Sequence, residues 1–353
     1  MKKGNSIVGG LILLIAGIGL LWWNEGNNVK NIQSVKEGLE NYADIKCEKV
    51  DQKFDGKLVA TNGELKTEGI AIDYEFDIRT ESPVLYRKVE MYQWKEECED
   101  NDNCTYTKVW SEDVIDSSNF IKEGHGNPGT KTWESDTFIN SRTLLGAFLL
   151  PDELIKKLPM DHRISDLKEI TAAGHGLTVA DNYFTNVKEG KPEIGNVRIS
   201  FYDNNSKKVS VLAEQIDDSF KVYTTKSGKT FFNIYDGTYN GNDMFTMITK
   251  QNNFMKWLWR IVGTLICIGS ISSLFNPLTL IMNKIPILGS IVNGATGLIS
   301  FVLGLSISLI VIAIAWFRFR PLLSIILIII VVALIIGLKM YLKNKPEAQP
   351  KEA

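Results

Sequence analysis

Four cysteines and three histidines are the residues of this 353-residue chain best suited to redox, nucleophilic or metal chemistry. Cys98 and Cys104 bracket the polar loop Glu99-Asp100-Asn101-Asp102-Asn103, between two stretches that read as strands, Val89 to Trp94 and Tyr106 to Trp110. A disulfide closing a hairpin tip is one reading, suited to an oxidising compartment. Metal binding is its rival, although a lone C-x5-C with no second pair is a poor zinc signal, and two free thiols are the third reading. Cys267 lies in an apolar run and reads as a small buried hydrophobe.

Glu123-Gly124-His125-Gly126-Asn127-Pro128 sets a histidine in a Gly/Pro loop, a setting open to general-base or ligand chemistry. No partner stands at a recognisable spacing, and His162 and His175 complete neither H-x-x-x-H nor H-E-x-x-H. Catalysis would require His125 in a cleft beside a carboxylate or Cys47. Ser227, in Lys226-Ser227-Gly228, lacks a nucleophile elbow and reads as a turn hydroxyl. Arg87, Lys88 and Glu90 alternate with Val89 and Met91, the pattern of charges on the solvated face of a strand, where they could also form a docking surface. Tyr92 and Trp94 read equally as exposed binding aromatics or as core. These patterns assign no catalytic residue, no metal centre and no cofactor, so no enzymatic activity is expected.

The elements that must position these residues belong to two solvents. Apolar residues concentrate at the two ends of the chain, while the middle has the polar density of a soluble fold. The net charge of −2 offers no basic surplus for nucleic acid. Ile7 to Trp23 is uninterrupted and apolar, follows Lys2 and Lys3, and suffices to cross a hydrocarbon core of about 30 Å. Bulky Trp22-Trp23 and then Asn24-Glu25 follow it where a signal-peptidase site would want small residues, so a retained anchor is expected. Three further spans are expected at 254–275, 291–316 and 321–341. Between them, 276–290 is broken by Pro277, Lys284, Pro286 and Gly289 and reads as an interfacial or re-entrant connector. Lys256 and Arg260 read as side chains that snorkel outward.

Four spans place the N-terminus (1–6) and the tail (342–353) on one side. Lys2, Lys3, Lys339, Lys343 and Lys345 make that side cytoplasmic, against the opposing Arg318, Arg320, Lys256 and Arg260. Residues 24–253 then form an extracytoplasmic domain. Its strand-like alternation at Ile70 to Ile78, Tyr86 to Trp94 and Val197 to Phe201 predicts an α+β fold with a mainly antiparallel sheet. Turn signals at Asp203 to Ser206 and Lys226 to Lys229 suggest a β-meander. A short surface helix is expected at Val29 to Tyr42, another at Pro151 to Leu158, and a third from Asn242-Asp243 toward the second span.

The chain resembles the transmembrane protein 43 family, also called LUMA. The resemblance is carried by Asn24-Glu25-Gly26, by Arg87-Lys88-Val89-Glu90-Met91-Tyr92-Gln93-Trp94 and by Gly124-His125 with Asn127-Pro128. Gly195 to Phe201, Thr224-Thr225-Lys226-Ser227-Gly228 and Arg320-Pro321-Leu322 complete it. It implies one N-terminal span, a large lumenal or extracytoplasmic domain and a C-terminal hydrophobic cluster. It further implies a non-enzymatic scaffold or organiser in the bilayer, with other membrane proteins and self-association as partners. An oligomeric channel or channel-associated subunit is the alternative. The resemblance implies the endoplasmic reticulum and inner nuclear membrane in an animal cell; in a bacterium the cell membrane is expected. Asn27-Asn28 and the Cys98–Cys104 loop depart from the family pattern.

Overall fold

The computed structural model of the protein describes residues 3–100, 103–282, 286–317 and 321–343. Helix α1 runs Lys3–Asn41; α2 (Asp152–Ile155) and α3 (Glu169–Gly174) are short; α4 (Gly241–Met282), α5 (Pro286–Trp316) and α6 (Pro321–Lys343) close the described chain. Two compact units result. One comprises α1 up to Glu37, the loop Lys226–Lys229 and the helices from Phe245 onward; the other comprises Gly38–Thr225 and Thr230–Met244.

In the helical unit, α1, α4, α5 and α6 are each long and apolar enough to cross a membrane. The chain is a four-span helical membrane protein with a large, mainly antiparallel sheet domain. The helices differ from expectation in two places. The short surface helix expected at Val29 to Tyr42 is the continuation of α1, because nothing in Asn24-Glu25-Gly26-Asn27-Asn28 breaks a helix. Gly26 weakens it by only about 1 kcal/mol. The described residues of the expected connector 276–290 are helical: α4 continues through Pro277 to Met282 and α5 starts at Pro286. Proline is tolerated inside a membrane helix where neighbouring groups re-satisfy the freed carbonyl, and at a helix start, where its missing N–H is not needed. Lys284, Arg318, Arg320 and Lys345 lie outside the described residues.

In the sheet unit, two seven-stranded sheets form. The first runs in the order Ser219–Lys221, Lys208–Ile216, Leu58–Thr67, Thr143–Leu145, Phe148–Leu149, with Ala43–Asp44 also pairing Leu58–Thr67 and Asn233–Asp236 also pairing Lys208–Ile216; the second runs Thr178–Ala180, Tyr183–Thr185, Val197–Asp203, Val84–Asp100, Asn103–Ser111, with His162–Arg163 also pairing Val197–Asp203 and Asp136–Ile139 also pairing Val84–Asp100. Apart from the parallel pairing of Ala43–Asp44 with Leu58–Thr67, the strand pairings are antiparallel. Each sheet buries its own apolar cluster: Val59, Leu145, Phe148, Leu154, Val209 and Val211 in the first, Phe76, Leu85, Val89, Phe184, Ile199 and Phe201 in the second. These clusters reflect period-2 alternation, which sends every second side chain to one face.

Side-chain hydrogen bonds redirect two segments that alternate like continuous structure. Ile70 to Ile78 is not one strand but a hairpin, Ala71–Asp73 against Ile78–Thr80. The Asp73 carboxylate accepts the Glu75 and Phe76 amides at 2.9 and 3.3 Å, and Asp77 takes a left-handed φ of 49°. Such Asx turns compete with the strand ladder. Likewise, the turn at Asp203 to Ser206 does not build a meander. Strand Val197–Asp203 pairs in the second sheet and Lys208–Ile216 in the first, so the chain crosses between sheets there. Asn204 fixes the crossing: its Oδ1 accepts the Ser206 amide at 3.0 Å, and its Nδ2 donates to Pro159 O at 2.7 Å. Helix α2 begins after Pro151 as expected, but ends at Ile155.

Candidate functional site

Within the helical unit, α1 and α4 pack antiparallel. Gly263 of α4 faces Leu21 of α1 so closely that a Cβ there would lie 2.7 Å from the Leu21 side chain. One turn further along α1, Asn24 Nδ2 donates to Lys256 O at 3.1 Å, and the rings of Trp23 and Trp259 meet edge to face at 6.2 Å. Helix α5 joins through Gly304, where a Cβ would lie 2.6 Å from Ile268 Cα, an approach that only glycine allows.

Glu25 sits where these three helices converge. It is fully buried, and Arg260 of α4 clamps it with both arms of the guanidinium, Nε to Oε1 at 2.6 Å and Nη2 to Oε2 at 2.8 Å. The indole Nε1–H of Trp316, at the end of α5, donates to the same carboxylate. A planar guanidinium matches a carboxylate at two points, so the pair fixes orientation as well as charge. Arg260 therefore does not snorkel outward: its side chain is 14% exposed and turned inward, since an outward guanidinium would leave Glu25 buried and unpaired. The exposed Trp22, Trp23 and Trp257 lie within a few residues of the clamp along α1 and α4, and tryptophan collects where hydrocarbon meets headgroups.

The loop Lys226-Ser227-Gly228-Lys229 docks on the same helix further along. Ser227 Oγ lies 2.5 Å from Ser34 Oγ and 3.2 Å from Lys30 O, the Lys226 amide donates to Glu37 at 3.0 Å, and Lys229 Nζ reaches Asn27 Oδ1 at 2.5 Å. Gly228 has φ +80°, which explains the glycine. Ser227 is thus held by helix carbonyl and hydroxyl groups. The sequence motifs around residues 24–26 and 226–228, some 200 positions apart, meet on one helix.

In the sheet unit, Arg87 and Glu90 overturn the solvated-face reading, since each is only 7% exposed. Arg87 Nη1 donates to Asp73 at 2.9 and 3.1 Å and to Glu75 at 2.8 Å, and its Nε donates to Glu134 O at 3.0 Å. Burial pushes the Asp73 carboxyl above its usual range, with Arg87 and two backbone amides pulling against that rise. Burial also acts on Glu90, but the hydrogen bonds and charge of Arg198, at 2.7 and 3.0 Å, with Lys88 beside it, hold its carboxyl below the usual range. Both faces of strand Val84–Asp100 are buried or half-buried from Val84 to Gln93, which alternation alone cannot reveal.

Cys98 and Cys104 are directly opposed in the Val84–Asp100 and Asn103–Ser111 ladder and are joined by a disulfide. Among the described residues, Glu96, Cys98 and Cys104 bring ligand-type atoms within 4.8 Å of one another. Both sulfurs are already bonded, and Glu96 accepts the Ile121 amide at 2.8 Å and the Tyr106 hydroxyl. The trio therefore does not fit a metal while the disulfide is intact.

His125 packs between aromatic rings, 4.1 Å from Tyr106 and 4.5 Å from Trp94 by ring centroid. Its Nδ1 lies 3.2 Å from Glu123 O. Cys47 is buried in the first sheet's core instead. Asn127 continues the sheet with its side chain: Oδ1 accepts the Trp94 amide at 2.7 Å, and Nδ2 donates to Trp94 O at 2.8 Å and to Ile115 O at 3.2 Å. Pro128 packs 3.1 Å from where a Cβ on Gly195 would stand. The loop thus reads as a structural clasp. Asn127→Ala should lower unfolding free energy by about 1–3 kcal/mol by orphaning the Trp94 backbone groups, measured by denaturant titration of tryptophan fluorescence. Tyr92 and Trp94 are half-buried, Tyr92 against Trp110 at 5.1 Å and Trp94 under Lys108 Nζ at 4.8 Å.

Spacing in the sequence missed the Asp203 cluster. His162 Nδ1 lies 2.6 Å from Asp203 Oδ1, while Oδ2 accepts the Thr80 and Ser82 hydroxyls at 2.6 and 2.8 Å. Asp203, not the histidine, occupies the centre, so the arrangement ties loops together and does not activate a serine.

Four helices long and apolar enough to span a membrane, an interhelical carboxylate clamp and a large antiparallel domain define a multi-span membrane protein with a large folded sheet domain. The chain belongs to the transmembrane protein 43 family, whose model matches residues 91–321. Transmembrane protein 43 of Rattus norvegicus is 27% identical over 348 residues, covering 92% of this chain and 87% of the rat protein. The Homo sapiens protein is 26% identical over 349 residues, with the same coverage. The Drosophila melanogaster homolog is 25% identical over 337 residues, covering 89% of each chain. No solved structure matches.

Proposed function

We propose that this chain is a non-enzymatic, membrane-anchored scaffold whose sheet domain lies outside the cytoplasm and engages another membrane protein or a second copy of itself. The observation that carries the reading is the ribbon formed by Val84–Asp100 and Asn103–Ser111. It pairs from Met91↔Ser111 to Asp100↔Asn103, a disulfide closes it near its tip, and strand Asn103–Ser111 forms the edge of the second sheet. An edge strand presents unpaired backbone groups to an incoming segment, and a cross-linked ribbon loses little entropy when it docks. The reactive side chains singled out by the sequence support the same reading, because His125 and Ser227 are engaged in holding the structure together.

The disulfide suits an oxidising compartment. In a bacterium that supports a domain outside the cell membrane; in an animal cell it supports a domain in the lumen bounded by the endoplasmic reticulum and inner nuclear membrane. Crosslinking in native membranes with an amine-reactive reagent, read by mass spectrometry, should join Lys95, Lys108 or Lys122 to a recurrent neighbour or to a second copy. Recovery of neither overturns the scaffold. Reproducible conductance of the purified protein in planar bilayers would assign it to a channel instead.

A further inference from the structure

Between α5 and α6 runs an apolar groove of about 440 Å³, walled by Leu298 and Val302 on one helix and by Ile330, Leu334, Gly337 and Tyr341 on the other. We propose that this groove holds one acyl chain of a phospholipid from the leaflet that faces the C-terminus.

Three observations carry the assignment. The first is extent. From Ile330 to Tyr341 the groove follows α6 for about 16 Å at 1.5 Å per residue, close to half of a hydrocarbon core of about 30 Å. It begins near the middle of α6 and ends at its last turn, so it spans one leaflet.

The second is the lining. The walls are aliphatic except at Tyr341, whose phenol stands at the end of the groove where the helix leaves the hydrocarbon, the level at which tyrosine meets the ester and phosphate groups of a lipid. The third is Gly337. A Cβ built there meets nothing within 4 Å, so the residue leaves open space on the groove wall, in contrast to Gly304, which is in tight contact with α4. Open apolar space in a membrane fills with hydrocarbon, because a void forfeits the dispersion contacts of its walls. A straight, flexible chain fills an elongated slot better than a branched side chain from a neighbouring helix.

The test uses the full chain in nanodiscs of palmitoyl-oleoyl phosphatidylglycerol and phosphatidylethanolamine, released for native mass spectrometry. The wild type should retain one phospholipid per chain after release. Gly337→Leu should reduce its occupancy several-fold, since the added side chain takes the acyl chain's space against the groove wall and removes its dispersion contacts. Gly269→Leu, which likewise adds a side chain to open space but on α4, should leave occupancy unchanged. Leu298→Trp fills the slot from α5 and should mimic Gly337→Leu if the glycine variant fails to fold. Retention of the same lipid by both groove variants would overturn the assignment, as would a lipid-free wild type. A wild-type dimer that Gly337→Leu dissociates would give the groove to a second chain and overturn it equally.

Discussion

Glu25→Ala is expected to destabilise the helical unit by about 3–5 kcal/mol, the penalty for leaving one member of a buried ion pair without its partner. The guanidinium of Arg260 would stay pointed between α1 and α4 with its two acceptors gone, and the Trp316 indole would lose its acceptor too. Arg260→Met should be comparably harmful, because it leaves a fully buried carboxylate facing a thioether. The double variant Glu25→Leu with Arg260→Met should recover most of the loss, since replacing both charges with apolar groups removes the desolvation penalty along with the attraction. The readout is the unfolding temperature in mild detergent across the four members of this cycle. Strong coupling between the two sites supports a clamp; additive effects would mean that the two side chains do not hold the helices together.

Arg87→Met is the second large effect, expected at about 3–5 kcal/mol at neutral pH for the same reason, now in the sheet unit. Asp73 is fully buried and serves both as the ion-pair partner and as the acceptor that turns the Ala71–Asp73 hairpin. Burial already raises its carboxyl in the folded protein, and Arg87 opposes the rise. Removing the guanidinium lifts that carboxyl further. A group whose folded pKa exceeds its unfolded value stabilises the fold in its protonated form. That contribution is fully present below the unfolded value, about 3.9 for Asp, and is lost as pH rises through the folded value. The deficit of Arg87→Met relative to wild type should therefore narrow as pH is lowered from 7 toward 4. A deficit that stays constant or widens over that range would remove Asp73 from the account. Urea titrations at a series of pH values decide between these outcomes.

The membrane helices were legible in the sequence because their signal is local: an apolar run of sufficient length has few alternatives to a span. Their continuations were not. Hydropathy ends at Trp23, but helical hydrogen bonding does not, so α1 proceeds to Asn41. Chain-distant pairing was equally hidden. Glu25 and Arg260 are 235 positions apart, and nothing near either one names the other. The same holds for Ser34 with Ser227 and for Glu90 with Arg198. Alternation identified Arg87 and Glu90 as sharing a pattern with Val89, yet it could not say that both faces of the strand are buried or half-buried there. The Asp73 turn illustrates a further limit: Asp73, Glu75 and Asp77 fit a polar face and a turn equally well, and two amide hydrogen bonds decide it.

The most direct test of the central claim, a folded domain on the opposite side of a membrane from both termini, uses the chain's own cysteines. Cys47 and Cys267 are buried, whereas Cys98 and Cys104 lie on the ribbon arm and become reactive on reduction. Intact cells, or sealed vesicles oriented with the lumen outward, are treated with a mild reductant and then with a membrane-impermeant maleimide. Labelling of Cys98 and Cys104 before lysis, located by peptide mass spectrometry, is the predicted result. Labelling of those two positions only after lysis would place the domain in the cytoplasm and contradict the account.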